Sequence, residues 1–219
     1  MRHYFKFLIN DRIFRNPRLW SNIVLAKLVR QLDAESVLNV SGADDSDKDG
    51  KKYRDYFANP STYHISYYGG YRGESGDFYL DLSEDVSPDI PVYDFVICHT
   101  VLEHVYDIFR AAKNLRILTG KYLVVVVPEV QETHGVDDFD DYWRFTKSGL
   151  AQLLYRAGFK HVIVEGSPPW IGSRYLFAFA STEVTNQSTI LGRCVKAVYV
   201  RNNLFLELLR HLYFFRKTS

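Results

Sequence analysis

Residues 93–105, YDFVICHTVLEHV, constrain the fold more than any other part of the chain. Phe95, Val96, Ile97 and Cys98 follow Asp94 as a continuous apolar run, without the polar alternation of a strand that has one face in water. A short run of this kind fits a strand covered on both faces, as in a parallel sheet. His99, Thr100, Glu103 and His104 cluster where that run ends. In open α/β sheets ligands bind outside the carboxyl ends of the strands, so the cluster marks a candidate site. The plainer role open to each member is to cap and solvate a loop.

The rest of the chain supplies the elements that such a sheet needs. Asn16-Pro17 reads as a helix start, followed by an apolar face of Leu19, Ile23, Ala26, Leu28 and Val29. Residues 36–40, 63–68, 78–82 and 122–127 read as strands, the last stopped by Pro128, and residues 51–57 as the beginning of a helix or the approach to one, closed by Pro60. Residues 108–118 have helical periodicity. Thr146 can cap a further helix, with Leu150, Leu153, Leu154 and Ala157 inward and Gly158 at its left-handed end. Residues 161–165 and 175–180 read as strands with no helix between them, hence an antiparallel edge hairpin, and residues 190–215 as helical. Strands alternating with helices require crossover connections, which predicts a mostly parallel sheet with helices on both faces.

A chain of 219 residues fits one domain, and a 47% hydrophobic, 16% aromatic composition excludes a disordered one. Cys98 and Cys194 lie in apolar surroundings without metal-ligand spacing and read as reduced core thiols of a cytoplasmic protein. No apolar core of signal length follows Met1, and no run approaches a membrane span. The net charge of +1 conceals basic ends around an acidic body: residues 1–32 carry seven basic residues against one acidic, and residues 193–219 six against one. Tyr4, Phe5, Phe7, Phe14 and Trp20 make one end aromatic, and Tyr199, Phe205, Tyr213, Phe214 and Phe215 the other. Such ends can pack on each other or on a partner subunit, homo-oligomer included, or settle peripherally on an anionic membrane, here the inner face. No nucleic-acid-reading motif accompanies them, so nucleic acid is not an expected partner. The expected organisation is a basic, aromatic helical segment over 1–35, the main domain over 36–182 and a second basic, aromatic helical segment over 183–219.

The chain resembles the class I S-adenosylmethionine-dependent methyltransferases. Their fourth strand commonly reads FD-V-apolar and leads into a VLEHV-type segment, matched here by Tyr93-Asp94-Phe95-Val96 and Val101-Leu102-Glu103-His104-Val105. His134-Gly135 and Asp141-Tyr142-Trp143-Arg144-Phe145-Thr146 resemble the HG and DYWRFT elements of a subgroup found in surface-polysaccharide gene clusters. The likeness covers residues 36–165. It implies a Rossmann-like methyltransferase fold, a mostly parallel seven-stranded sheet with an antiparallel edge hairpin and helices on both faces. It further implies S-adenosylmethionine as cofactor and O-methylation of a sugar hydroxyl on a surface or secreted glycan, offered as a small molecule or linked to lipid.

For the cofactor the resemblance points to Asn39, Ser41, Gly42, Asp81 and His99, with two departures from the family pattern. Against VLD-apolar-GCGxG after the first strand, Asn39 stands at the acid, Ser41, Ala43 and Asp45 replace glycines, and Gly42 is one place out of register. The second strand ends in Tyr67 and Tyr68, where the family has an acid for the ribose hydroxyls; the nearest acids are Glu74 and Asp77. A tyrosine cannot supply a bidentate ionised acceptor. These departures keep a second reading open, a degenerate methyltransferase fold acting as a binding or scaffolding subunit. The two readings differ in whether the cofactor cavity is open or filled by Tyr67, Tyr68 and the residues around Asp44.

Methyl transfer to a hydroxyl needs alignment and a base, and the HG element makes His134 the candidate base; His104 is the competitor, with packing or loop orientation as its other role. Glu103, Asp141, Trp143 and Arg144 are candidate substrate contacts; alternatively Trp143 plugs the core and Asp141 pairs with Arg144 to hold the loop. The acidic run Asp137, Asp138, Asp140 and Asp141 reads as solvated, and no metal site is expected.

Overall fold

The computed structural model describes residues 17–42, 44–68, 76–135, 139–167, 174–183 and 191–194. The terminal aromatics other than Trp20, together with Glu74, Asp137, Asp138 and most of the helix expected over 190–215, lie outside these residues. Seven strands are present: β1 (Ser36–Val40), β2 (Thr62–Tyr67), β3 (Phe78–Tyr79), β4 (Tyr93–His99), β5 (Thr119–Val130), β6 (His161–Gly166) and β7 (Arg174–Ser181). They form one sheet in the order β3-β2-β1-β4-β5-β7-β6. The first five strands pair in parallel, whereas β7 runs antiparallel to both β5 and β6. The antiparallel hairpin expected at the edge is therefore present, with β7 between β5 and β6 and with β6 outermost.

The apolar run in β4 is buried on both faces, as its composition requires. Val96 and Cys98 join a core with helices α2 (Ile108–Leu118) and α3 (Lys147–Ala157), through Leu115, Leu150 and Leu154. Phe95 and Ile97 join a second core on the opposite face, with helix α1 (Pro17–Val29), Tyr53, Phe57, Phe177 and Phe179. Trp20 is fully buried there, edge-on to Phe177, and so contributes to this core rather than to an exposed aromatic surface. Burial also pushes the Cys98 thiol well up, and both cysteines are free. No helix among the described residues is long and apolar enough to cross a membrane.

Three expectations about elements are corrected. Residues 51–57 form only the short 3-10 turn Tyr53–Tyr56. Asp45 accepts the backbone N–H groups of Tyr53 and Arg54 through its carbonyl and carboxylate, and Tyr53, Tyr56 and Phe57 sink into the core. Pro128 does not stop β5, which continues to Val130 with an irregularity between Pro128 and Val130. β4 has its last partner at Val126, so beyond that point no strand pairs on that side, where the Phe145 N–H donates to the Pro128 carbonyl (3.1 Å) and the missing proline N–H is tolerated. Strand β3 is reduced to Phe78–Tyr79.

The ends of α3 follow the sequence signals closely. The Thr146 side chain accepts a hydrogen bond from the Gly149 N–H, and Gly158 sits at φ 107°. Thr146→Ala should lower stability by about 1 kcal/mol. Gly158→Ala, which places a side chain in the left-handed region, should cost about 1–2 kcal/mol. Urea midpoints at unchanged slope check both.

Candidate active site

Strand β1 lies between β2 and β4, and the order reverses there, which opens a crevice at the carboxyl ends of these strands. A cleft of about 850 Å³ occupies it. Its wall includes Asn39 from β1, Ser41 and Gly42 after it, Asp81 beyond β3, His99 and Thr100 at the end of β4, and His134 beyond β5. Arg18 from α1 and the exposed rings of Tyr106 and Tyr142 also line it; Tyr142 belongs to the string singled out in sequence, whereas Arg18 and Tyr106 are contributors that sequence reasoning missed. Among the described residues the cleft is open. Tyr68 lines it, stacked on Tyr79, and does not fill it.

The β1 end is built around Asp45, a residue that reads in sequence only as a lost glycine. Its carboxylate accepts from Asn39 Nδ2 (2.7 Å), the Tyr63 hydroxyl (2.6 Å) and the Arg54 N–H (3.1 Å). Asn39 is thereby held under Gly42, where a Cβ would overlap the Asn39 amide. Ser41 adopts φ 51° and donates its N–H to Ser66 Oγ (3.0 Å); Thr100 adopts φ 55° and donates to the Val126 carbonyl (2.8 Å). Left-handed backbone is costly for such residues and collects at functional sites. Asp81 Oδ1 accepts from the N–H and hydroxyl of Ser83, both at 2.7 Å. Asp77, considered as a substitute ribose acid, instead accepts the Ile65 N–H along the sheet (2.7 Å).

His99 is nearly buried, with Nε2 2.9 Å from Ser21 Oγ. The Ser21 hydroxyl donates to the Arg18 carbonyl, so it accepts from His99, which fixes the proton on Nε2. Nδ1 is left as a buried acceptor without a hydrogen-bond partner among the described residues. Burial, then the charge of Arg18, holds this imidazole well below its usual range, so it is neutral at physiological pH.

At the other end, the 131–146 loop is clamped to the turn after β4. The N–H groups of Tyr142 and Trp143 donate to the Glu103 carbonyl (2.8 and 3.2 Å), and the Trp143 indole donates to the Val105 carbonyl (3.0 Å). Arg144 grips Asp141 with two bonds of 2.6 Å and also donates to the carbonyls of Gln131, Glu132 and Trp143. The clamp brings the His104 and His134 rings to 5.0 Å between centroids. His134 lines the cleft, its Nδ1 3.0 Å from Asp141 Oδ2 but off the line of a hydrogen bond. Glu103 is fully buried, and burial pushes its carboxyl up to about 8.

Of the residues singled out in sequence, Asn39, Ser41, Gly42, Asp81, His99 and His134 come together on the cleft wall. Glu103, Asp141, Trp143 and Arg144 do not line it; their described contacts hold the loop and the turn. Asp45→Ala strips three bonds from a buried lock and should destabilise the fold by about 2–3 kcal/mol in denaturant titrations. Arg144 hydrogen bonding first, then the His134 N–H, holds the Asp141 carboxyl well below its usual range. Its contribution to stability is therefore present above the unfolded carboxylate pKa, about 4, and is lost as pH falls through the lower folded value. The acid limb of a stability–pH profile should be less steep for Asp141→Asn than for the parent.

No protein-family model matches the chain, and neither does any curated protein. Solved structures do. The 1,6-didemethyltoxoflavin-N1-methyltransferase of Burkholderia thailandensis, with 1,6-didemethyltoxoflavin and S-adenosylhomocysteine bound, aligns at 18% identity and TM-score 0.50, covering 82% of this chain and 89% of that one. The N-terminal domain of EvdMO1 with S-adenosylhomocysteine aligns at 11% identity and TM-score 0.54, covering 80% and 85%. The same domain in the presence of S-adenosylhomocysteine and D-fucose aligns at 12% and 0.53, covering 73% and 83%. At these identities the likeness is one of fold: with the strand order above, the chain has the Rossmann-like methyltransferase fold.

Proposed function

We propose that the chain is an S-adenosylmethionine-dependent methyltransferase acting on a sugar hydroxyl. The carrying observation is the open cleft at the β1/β4 reversal, walled by Asn39, Ser41, Gly42, Asp81 and His99. Its residues fit the cofactor. Asp81 presents a carboxylate beyond β3 for the adenine amino group, and the backbone over Gly42 leaves no room for a side chain on the Asn39 face. S-adenosylmethionine supplies, when bound, an electrophilic methyl on sulfonium sulfur. It would give that methyl to an acceptor oxygen and leave as the neutral thioether. Activation of the hydroxyl falls to the His104 and His134 end of the cleft.

Support for a sugar comes from the same end. Tyr106 and Tyr142 stand edge to face, 5.3 Å between centroids, and both are exposed on the cleft wall. Aromatic faces of this kind suit the apolar face of a sugar ring, and the EvdMO1 domain was solved in the presence of D-fucose. One observation favours a binding subunit instead: β2 ends in Tyr67 without a carboxylate.

Calorimetric titration with S-adenosylmethionine and S-adenosylhomocysteine decides between them. Binding is expected in the micromolar range. Asp81→Ala should weaken it about tenfold, the equivalent of one hydrogen bond to a charged group, while Tyr106→Ala leaves it unchanged. No binding by folded protein would rule out the enzyme and support the subunit reading.

A further inference from the structure

We infer that Glu103, His104 and His134 form a site for a divalent transition-metal ion at the acceptor end of the cleft. Each offers a ligand atom, and the three atoms lie within 4.8 Å of one another. Glu103 is fully buried, and neither carboxylate oxygen has a hydrogen-bond partner among the described residues. His104 Nε2 is 4.0 Å from its Oε1. A buried carboxylate left in this way is costly. Protonation would still leave the acid unpartnered, whereas a cation satisfies all three groups at once.

The surroundings of the two imidazoles point the same way. His104 Nδ1 lies 2.7 Å from the Asp140 carbonyl. A carbonyl only accepts, so Nδ1 carries the proton and the lone pair is on Nε2, the nitrogen that faces Glu103. Ligating histidines commonly donate their other N–H to a carbonyl or carboxylate in this manner. His134 sits against Asp141, which Arg144 fixes from behind. Two imidazoles and one carboxylate suit Mn, Fe, Co, Ni or Zn better than Mg or Ca, which prefer all-oxygen shells. Three protein ligands also leave coordination positions for outside oxygen.

The role of this ion rests on the methyltransferase reading. An acceptor hydroxyl bound to the ion loses its proton to solvent more readily, and the resulting oxygen forms the bond to the methyl carbon as the carbon–sulfur bond breaks. His104 and His134 then hold the ion, and His134 is a ligand rather than the base that its position in sequence suggests.

The test uses the full chain, stripped with chelator, desalted and titrated with Co²⁺ while visible d–d absorption is followed. Saturation at one Co²⁺ per chain is expected. Glu103→Gln and His134→Gln should each weaken binding at least about tenfold, and His161→Gln, on the far edge strand, should not. His134 is at the partly exposed rim, so that variant keeps the test valid if Glu103→Gln fails to fold. No cobalt spectrum, or one that survives both substitutions unchanged, overturns the site. S-adenosylhomocysteine binding, measured on the same samples, decides the methyltransferase reading separately.

Discussion

The parallel pairing of β1 with β4 is the constraint on which the rest depends. Val37, Leu38, Asn39 and Val40 register with Phe95, Val96, Ile97 and Cys98, and both strands are covered on both sides. Chain continuations therefore cannot stay in the sheet plane and must turn sharply at the carboxyl ends. Ser41 and Thr100 make those turns with left-handed backbone, each secured by one hydrogen bond to the next strand outward. The cleft is the space that the two diverging turns leave, and its polar wall is what the chain places on them.

A second dependence concerns the loop beyond β5, which has little regular structure of its own. Arg144 supplies the order that a helix or strand would otherwise give, by gathering three carbonyls and one carboxylate. Because the N–H groups of Tyr142 and Trp143 just before it bond the turn after β4, the loop and the turn behave as one body. The two histidines, far apart in sequence, inherit their spacing from that body.

Much of this was legible in the sequence where the cause is local. The β4 run, the α2 boundaries and the Thr146 and Gly158 ends of α3 each follow from a few neighbouring residues. Residues 51–57 were not, since the short turn they form is tied to Asp45, whose carboxylate is itself held by Asn39 and Tyr63. Pro128 misled for a similar reason: whether a strand tolerates it depends on which neighbour has already ended. In the site, position after a strand identified the cleft-lining residues well. It said nothing of which side of a loop a chain faces, and so substrate contact and a loop-holding role both stood open for Asp141, Trp143 and Arg144, whose described bonds lie within the loop and to the turn after β4. The convergence of Glu103, His104 and His134 did leave a signal: an acid-histidine pair after one strand and a histidine after the strand beside it.

The Asp141-Tyr142-Trp143-Arg144 string is the most distinctive in the chain, yet only Tyr142 of the four reaches the cleft wall. Its other members act as tooling that sets a gap between two rings. Relatives that share the string would thus be expected to share a jig for the acceptor end, whatever is clamped in it. Differences among them at that end would fall instead at cleft-wall positions outside the string, such as Tyr106 and Phe139, whose variation the jig can absorb.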